Sequence, residues 1–184
     1  MIAPVEDMEA ENAKILIVDD DDRNLLALSE TVKTLAEVVC VSSGKDALRE
    51  LLQHEFAVIL LDVFMPEMDG YETAAIIRER ARTSQVPIIF LSAVNKETSH
   101  LMRGYEMGAV DYVFKPVDPV VLKTNVGVFV DLYKARQEVK RKAELESSLR
   151  EAHLREQLDR IEVEQRLEDS ERRQASVLAA LPMA

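Results

Sequence analysis

Short apolar runs alternate with amphipathic helical patterns from the N-terminal part of the chain to about Ala135. Five of these runs are short and rich in β-branched residues: KILIV (14–18), EVVCV (37–41), AVILLD (57–62), VPIIFLS (86–92) and DYVF (111–114). Their spacing leaves room for a crossover helix between parallel strands. The helices are expected to begin near Asn24, Lys45, Tyr71, Lys96 and Pro119, with Asp118 as the N-cap of the last one. The pattern predicts a doubly wound α/β domain with a five-stranded parallel sheet covered by helices on both faces.

The last predicted helix is unusually long. Neither glycine nor proline occurs anywhere between Val128 and Leu181. Only a long helix accommodates such a run comfortably. From Arg136 to Arg173, more than half of the side chains are charged, with both signs mixed, as is typical of a solvated helix surface.

Two apolar stripes follow this helix. The first is expected to cover the sheet and consists of Leu122, Val126, Phe129, Val130 and Tyr133. The second has the alternating steps of a heptad seam and consists of Val121, Asn125, Val128, Leu132, Ala135 and Val139, resuming in the same frame at Val163, Leu167, Val177 and Leu181. Between these two parts, Leu154, Leu158 and Ile161 form a seam in a different phase, and a loose charged helix is the alternative interpretation there. A helix this polar is marginal alone, so the second stripe predicts a parallel homodimeric coiled coil.

The amino-acid composition and net charge exclude some classes of protein and of binding partner. The 184 residues are 47% apolar with a net charge of -11, which excludes a wholly disordered chain and argues against nucleic-acid or anionic-membrane partners. The acidity belongs to residues 1–135, with 13 basic and 23 acidic side chains, against 10 and 11 in residues 136–184. A protein or a cation is the expected partner. The lone Cys40 excludes an intrachain disulfide and is expected in the core, and an acidic N-terminus without a long apolar run indicates a cytoplasmic protein.

Polar residues with related chemistry stand where the predicted strands end. Asp19 and Asp20 follow the first strand, Asp62 ends the third, Ser92 the fourth, and Lys115 follows the fifth. In an open parallel sheet, the carboxyl ends of the strands form the usual site for ligands. A raised pKa on one carboxyl group would relieve the repulsion among the three carboxylates, but a divalent cation relieves it better. Hard oxygen ligands favour Mg²⁺.

This set of residues suits phosphoryl transfer. Three carboxylates, one Mg²⁺ and the Lys115 ammonium are formally neutral together, so a phosphoryl donor can approach without net repulsion. Positioning and charge neutralisation do most of the work in such reactions. Asp62 would be the nucleophile and form an acyl phosphate, while Lys115 and Ser92 would contact phosphoryl oxygens.

Four segments in this order, IVDD (17–20), LLDVFMPEMDG (60–70), FLSA (90–93) and DYVFKP (111–116), resemble the receiver domain of two-component response regulators. The resemblance covers about residues 13–135 and implies a flavodoxin-like fold. It implies that Asp62 is the phosphoacceptor, that Asp19, Asp20 and the backbone carbonyl of Phe64 complete the Mg²⁺ site, that Ser92 and Tyr112 form the switch, and that Lys115 precedes a cis-proline. It further implies a histidine kinase or phosphotransfer protein as phosphoryl donor and a domain that catalyses its own phosphorylation and dephosphorylation.

Two other functions stay open at this point. Asp19-x-Asp21 after a strand also resembles haloacid-dehalogenase-type phosphatases, in which Asp19 would be the nucleophile. That motif leaves LLDVFMPEMDG unexplained and has Arg23 where threonine or valine is expected. The other alternative is a receiver-like dimerisation module that never accepts phosphate.

The expected organisation is a flexible N-terminus (1–12), a receiver domain (13–135), a coiled-coil signalling helix continuous with the last receiver helix (136–181), and the start of a downstream segment (182–184). The C-terminal end of the chain, from Ser176 onward, resembles the junction before a PAS-type sensory domain, so the expected output is a PAS or sensor-kinase domain outside this chain.

Overall fold

A computed structural model of the protein describes residues 13–93 and 111–180. Nine elements follow one another along these residues: β1 (Lys14–Val18), α1 (Asp22–Val32), β2 (Glu37–Val41), α2 (Gly44–Gln53), β3 (Val58–Asp62), α3 (Gly70–Glu79), β4 (Ile88–Ala93), β5 (Asp111–Lys115) and α4 (Pro119–Ala179). The strands form one parallel sheet in the order β2-β1-β3-β4-β5. This confirms the predicted fold class and strand number. The helix expected near Lys96 lies outside the described residues.

Alternation of side chains along the strands divides the core into two layers. On one face of the sheet, Ile15, Ile17 and Leu60 pack with residues of α1 and α4. On the other face, Leu16, Ile59 and Phe90 pack with residues of α2 and α3. The α4 side chains of the first layer are those of the predicted sheet-covering stripe: Leu122, Val126 and Val130 are buried, and Phe129 and Tyr133 pack against them.

Side-chain caps set the first residue of each helix. Asp21 accepts a hydrogen bond from the Arg23 backbone N–H, so α1 begins slightly before the predicted Asn24. Ser43 and Asp69 cap α2 and α3 in the same way, just ahead of the predicted starts. Asp118 caps α4 as expected, because its carboxylate accepts hydrogen bonds from the backbone N–H groups of the first turn.

The prediction that Cys40 lies in the core is wrong. Its strand, β2, is an edge strand of the sheet, and Cys40 is exposed. An apolar strand sequence does not distinguish the centre of a sheet from its edge, where one side of the strand has no neighbour. The continuous apolar runs are therefore well covered in β1 and β3 but only partly covered in β2.

The chain divides into two compact units between Gln137 and Glu138. The first contains the sheet. In the second, every described residue after Glu138 is exposed, including Leu145, Leu154 and Leu167. Ion pairs one helical turn apart, such as Glu156 with Arg160, lie along this part of α4. None of the helices described is long and apolar enough to cross a membrane.

Candidate functional site

Three carboxylates meet at the carboxyl edge of the sheet. Asp19 follows β1 and is fully buried, Asp20 is exposed, and Asp62 is the last residue of β3 and is 4% exposed. One oxygen from each of the three side chains lies within 4.8 Å of the others. The structure thus brings together the carboxylates that the sequence assigned to one site.

Lys115 connects two of these carboxylates. Its Nζ lies 2.7 Å from Oδ2 of Asp19 and 2.9 Å from Oδ1 of Asp62. Burial alone would lower the pKa of Lys115, but its hydrogen bonds to Asp19 and Asp62 outweigh burial and raise the pKa. The ammonium therefore stays charged at neutral pH. The peptide bond from Lys115 to Pro116 is cis, as the family resemblance implies.

Asp19 is also held by Asn24 of α1 and by the backbone of the residue that caps this helix. The Asn24 amide donates to both carboxylate oxygens at 3.1 Å, and the Asp21 backbone N–H donates at 2.9 Å. The sequence predicts Asn24 only as a helix start, and its contact with Asp19 was not predicted. A polar side chain in the first turn after a strand end was the available signal, because that turn lies directly above the strand end.

The environment of Asp62 opposes its ionisation. Burial raises the pKa of the Asp62 carboxyl group above its ordinary value of 3.8, and the charges of Asp19 and Asp20 raise it further, while Lys115 lowers it in part. The net shift is upward. A further positive charge near Asp62 would therefore stabilise the ionised form.

The loop after β3 is tightly anchored to the site. The Gly70 backbone N–H donates to the Val63 carbonyl at 2.9 Å. Within the loop, Glu67 has a φ of 64°, in the left-handed region. Phe64 lies just beyond Asp62 and has a side chain that is 58% exposed. The assignment of its backbone carbonyl as a metal ligand stays a prediction.

Ser92 and Tyr112 lie on the neighbouring strands β4 and β5. Ser92 is nearly buried, and its hydroxyl donates to the Ala93 carbonyl at 3.1 Å, so it is bonded within its own strand rather than to the carboxylates. Tyr112 is half-buried, with its ring centroid 5.3 Å from that of Phe90. Its hydroxyl lies 3.2 Å from the hydroxyl of Tyr71, which the sequence predicts only as a helix start.

The donor set fits a hard divalent cation. Carboxylate oxygens are ligands that Mg²⁺ prefers, and Mg²⁺ usually retains several waters beside one or two carboxylates. The exposed Asp20 leaves one side of the cluster open to solvent. The buried Asp19 and Asp62 supply a fixed side.

Comparisons with known proteins agree on one family. A model of the response regulator receiver domain matches residues 15–127. A Vibrio cholerae protein named "Probable cyclic di-GMP phosphodiesterase" is 43% identical over 113 residues, which are 61% of this chain and 25% of that protein. The transcriptional regulatory protein SrrA of Staphylococcus aureus is 41% identical over 115 residues, 61% of this chain and 46% of SrrA. The chain thus spans less than half of these relatives.

Solved structures give the same result. The receiver domain of a signal transduction histidine kinase from Syntrophus aciditrophicus has a TM-score of 0.59 and 30% identity, covering 65% of this chain and 90% of that one. The response regulator DrrB of Thermotoga maritima has a TM-score of 0.58 and 35% identity, covering 67% of this chain and 54% of that one. With the family model matching more than half of its residues, this chain belongs to the response regulator receiver-domain family.

Proposed function

We propose that this protein is a phosphoacceptor receiver in which Asp62 accepts a phosphoryl group from a histidine kinase or a phosphotransfer protein. The observation that carries the proposal is the position of Lys115, whose ammonium contacts Asp19 and Asp62 at once. A charged ammonium beside the nucleophile favours the ionised form of Asp62, which burial opposes. It also offers a positive charge to an incoming phosphoryl oxygen.

Asp19, Asp20, Asp62 and the Phe64 carbonyl would hold Mg²⁺, as in receiver domains generally. When bound, the ion neutralises charge on the carboxylates and on the phosphoryl oxygens. Its placement is supported by the three carboxylate oxygens within 4.8 Å of one another. Asn24 fixes the buried Asp19 through both of its oxygens and thus orients one ligand.

The transfer itself needs no further reactant. An oxygen of the ionised Asp62 attacks phosphorus of the donor's phosphohistidine, and a P–O bond forms as the P–N bond breaks. The bonding electron pair remains on the imidazole nitrogen. The Lys115 ammonium then contacts the transferred phosphoryl group. The Ser92 hydroxyl turns away from the Ala93 carbonyl and donates a hydrogen bond to a phosphoryl oxygen. Water then hydrolyses the acyl phosphate and restores the carboxylate, so the domain catalyses both its phosphorylation and its dephosphorylation.

Movement of the Ser92 hydroxyl is the first step of the proposed switch. It changes the packing beside β5, on which Tyr112 lies. Tyr112 then responds through its ring and hydroxyl. The switch face therefore comprises Ser92, which contacts the phosphoryl group, and Tyr112, which responds to the movement of Ser92.

The output is proposed to pass through a parallel homodimeric coiled coil formed by residues 136–181, which continue from the receiver domain of residues 13–135. Exposed apolar side chains along α4, such as Val139, Leu149 and Leu167, support this proposal because an isolated helix does not bury them. Asn125 belongs to the heptad frame, but its amide donates to Asp111 of β5 at 2.5 Å. Asn125 is therefore left out of the proposed interhelical seam, which lies C-terminal to it. A PAS or sensor-kinase domain outside this chain would receive the signal.

The family match bears on one of the two alternative functions and leaves the other to experiment. The family match favours the receiver over the phosphatase with Asp19 as nucleophile. A receiver-like dimerisation module that accepts no phosphate is the negative outcome of the test below.

Intact mass spectrometry after incubation with acetyl phosphate tests the proposal. The wild-type protein should gain one phosphoryl group with Mg²⁺ and far less with excess chelator. Asp62→Asn should gain none. Asp131→Asn, which removes an exposed carboxylate of α4, should behave as wild type. Equal phosphorylation of Asp62→Asn, or none of the wild type, would refute the assignment.

A further inference from the structure

A cavity of about 210 Å³ lies at the amino ends of β3 and β4, at the opposite edge of the sheet from Asp62. Residues that precede these two strands form one side of it, and one face of α4 forms another. Three of its apolar side chains carry aromatic rings, so the cavity suits a flat apolar molecule. Its apolar lining includes Leu51, Phe56, Val86, Phe129, Leu132 and Tyr133.

The volume of the cavity limits the size of its ligand. A cavity of about 150 Å³ lined by apolar side chains is large enough for benzene. Sites for drug-sized ligands usually begin at about 300 Å³. At about 210 Å³, the present cavity therefore fits one substituted aromatic ring or two fused rings.

Two guanidinium groups at the cavity favour an anion. Arg82 and Arg136 both line it and are both exposed. Arg136 forms no ion pair with any residue that the structure describes. Arg82 donates one N–H to the Leu52 carbonyl at 3.2 Å, and its guanidinium group has further donors that can bind a ligand.

The carboxylate among the lining residues, that of Glu55, already has partners of its own. Its Oε2 accepts a hydrogen bond from the Gln137 amide at 3.4 Å, and it also contacts the Tyr133 hydroxyl. Successive residues of a helix point about 100° apart, so Arg136 lies on a different side of α4 from Gln137. The positive charge of Arg136 is therefore available to a ligand.

We infer that this cavity binds a small aromatic carboxylic acid, with its ring against the apolar lining and its carboxylate at Arg82 and Arg136. A guanidinium group can bind both oxygens of a carboxylate through paired N–H donors. The inference does not depend on phosphorylation of Asp62, because the two sites lie at opposite edges of the sheet. A bound acid would connect α4 to the segments before β3 and β4 and would stabilise the folded domain by mass action.

Titration of the full chain with 2-naphthoate, followed by ¹H–¹⁵N NMR, tests the inference. Backbone resonances of the lining residues should shift. The dissociation constant should be on the order of 1 mM or lower, as expected for a ligand of about 13 heavy atoms. The neutral analogue 2-naphthamide has the same rings without the charge and should bind about three- to tenfold more weakly.

Charge variants separate the contribution of the arginines from that of the apolar lining. In Arg82→Gln/Arg136→Gln, 2-naphthoate should bind as weakly as 2-naphthamide, and the affinity for 2-naphthamide should not change. Arg150→Gln/Arg155→Gln removes two exposed guanidinium groups farther along α4 and is the matched control for net charge. It should bind both compounds as the wild type does.

A cavity-filling variant places the ligand. Val86→Phe should abolish binding of both compounds, whereas Val120→Phe, the same change at a side chain that is 74% exposed, should leave it unchanged. Should Val86→Phe lose its fold by circular dichroism, the arginine variants carry the test alone. The inference is overturned by wild-type lining resonances that do not shift well above the expected dissociation constant, or by equal affinity for the acid and the amide. It is also overturned if Arg82→Gln/Arg136→Gln keeps the preference for the acid, or if a folded Val86→Phe still binds.

Discussion

Gly70 and Asp62 are in backbone contact across the loop that joins β3 to α3. A Cβ on Gly70 would lie 2.3 Å from the Asp62 carbonyl oxygen and 2.9 Å from Cα of Val63. Because both neighbours are backbone atoms, no rotation of a side chain could relieve the clash. The first residue of α3 and the proposed phosphoacceptor therefore hold each other in place.

Gly70→Ala should consequently lower the free energy of unfolding by about 1–3 kcal/mol, the usual cost of overpacking. It should also reduce phosphorylation by acetyl phosphate, since the Asp62 backbone must shift. Gly127→Ala is the matched control, because the nearest atom to its added Cβ is a Leu35 methyl carbon at 4.0 Å. Because Gly127 lies in the interior of α4, alanine there should stabilise the protein by about 0.5–1 kcal/mol. Urea denaturation of both variants measures the contrast, and a neutral Gly70→Ala would contradict the packing described.

Ionised Asp62 should cost the protein stability. Because the pKa of its carboxyl group is raised in the folded state, above its ordinary value of 3.8, the folded state holds the proton more tightly than the unfolded chain. The cost is absent below pH 3.8, grows between that value and the raised pKa, and is complete above it. In chelator, Asp62→Asn should therefore be more stable than the wild type at neutral pH, and the difference should shrink as the pH falls toward the ordinary pKa.

Thermal unfolding across this pH range measures the effect, with Asp131→Asn as the exposed control. A wild type more stable than Asp62→Asn at neutral pH would show that the contact with Lys115 outweighs burial.

Cys40 should be accessible but slow to react. It is exposed on the edge strand β2, yet partial burial raises the pKa of its thiol above the ordinary value of 9.0. The thiolate is the reactive form, so alkylation by iodoacetamide at neutral pH should be slower than that of the same chain in urea. The difference between the alkylation rates of the native and the urea-unfolded chain should narrow as the pH rises past the ordinary thiol pKa. With one cysteine in the chain, mass spectrometry reads the rate directly, and complete protection of the native protein would contradict the edge position.

The proposed coiled coil predicts that the effect of a substitution in α4 depends on its heptad position. Leu167 belongs to the heptad seam, whereas Leu145 lies outside both seams, although the two side chains are 61% and 60% exposed. Leu167→Glu should raise the dimer dissociation constant by about tenfold or more by placing two like charges in the seam. Leu145→Glu should leave it unchanged. Sedimentation equilibrium compares the two, and equal behaviour would argue against the predicted register.

The fold could be predicted from the sequence because short runs rich in β-branched residues occur five times along it. Each β-branched run is separated from the next by a segment long enough for a crossover helix, so element type and order follow. The pattern could not predict where in the sheet a strand lies. The prediction that Cys40 lies in the core was wrong for that reason. Strand order depends on contacts between residues distant in the chain, which periodicity does not record.

The carboxylates and Lys115 could be predicted because strand ends of a parallel sheet converge on one edge. The contacts of Asn24 and Tyr71 could not be predicted, since each residue lies on a helix and contacts a residue of another element. Their roles depend on side-chain direction, and spacing along the chain carries no information about the partner. Both were visible in the sequence only as residues near a helix start.

Mapping the phosphorylated residue tests whether Asp62 is the phosphoacceptor. After brief incubation with acetyl phosphate and Mg²⁺, borohydride reduces an aspartyl phosphate to an alcohol and releases phosphate, which marks the modified residue for peptide sequencing by mass spectrometry. We expect reduction at Asp62 alone, in amounts that match the phosphoryl group gained by the intact protein. Reduction at Asp19 or Asp20 instead, or a phosphorylated protein without reduction at Asp62, would contradict it.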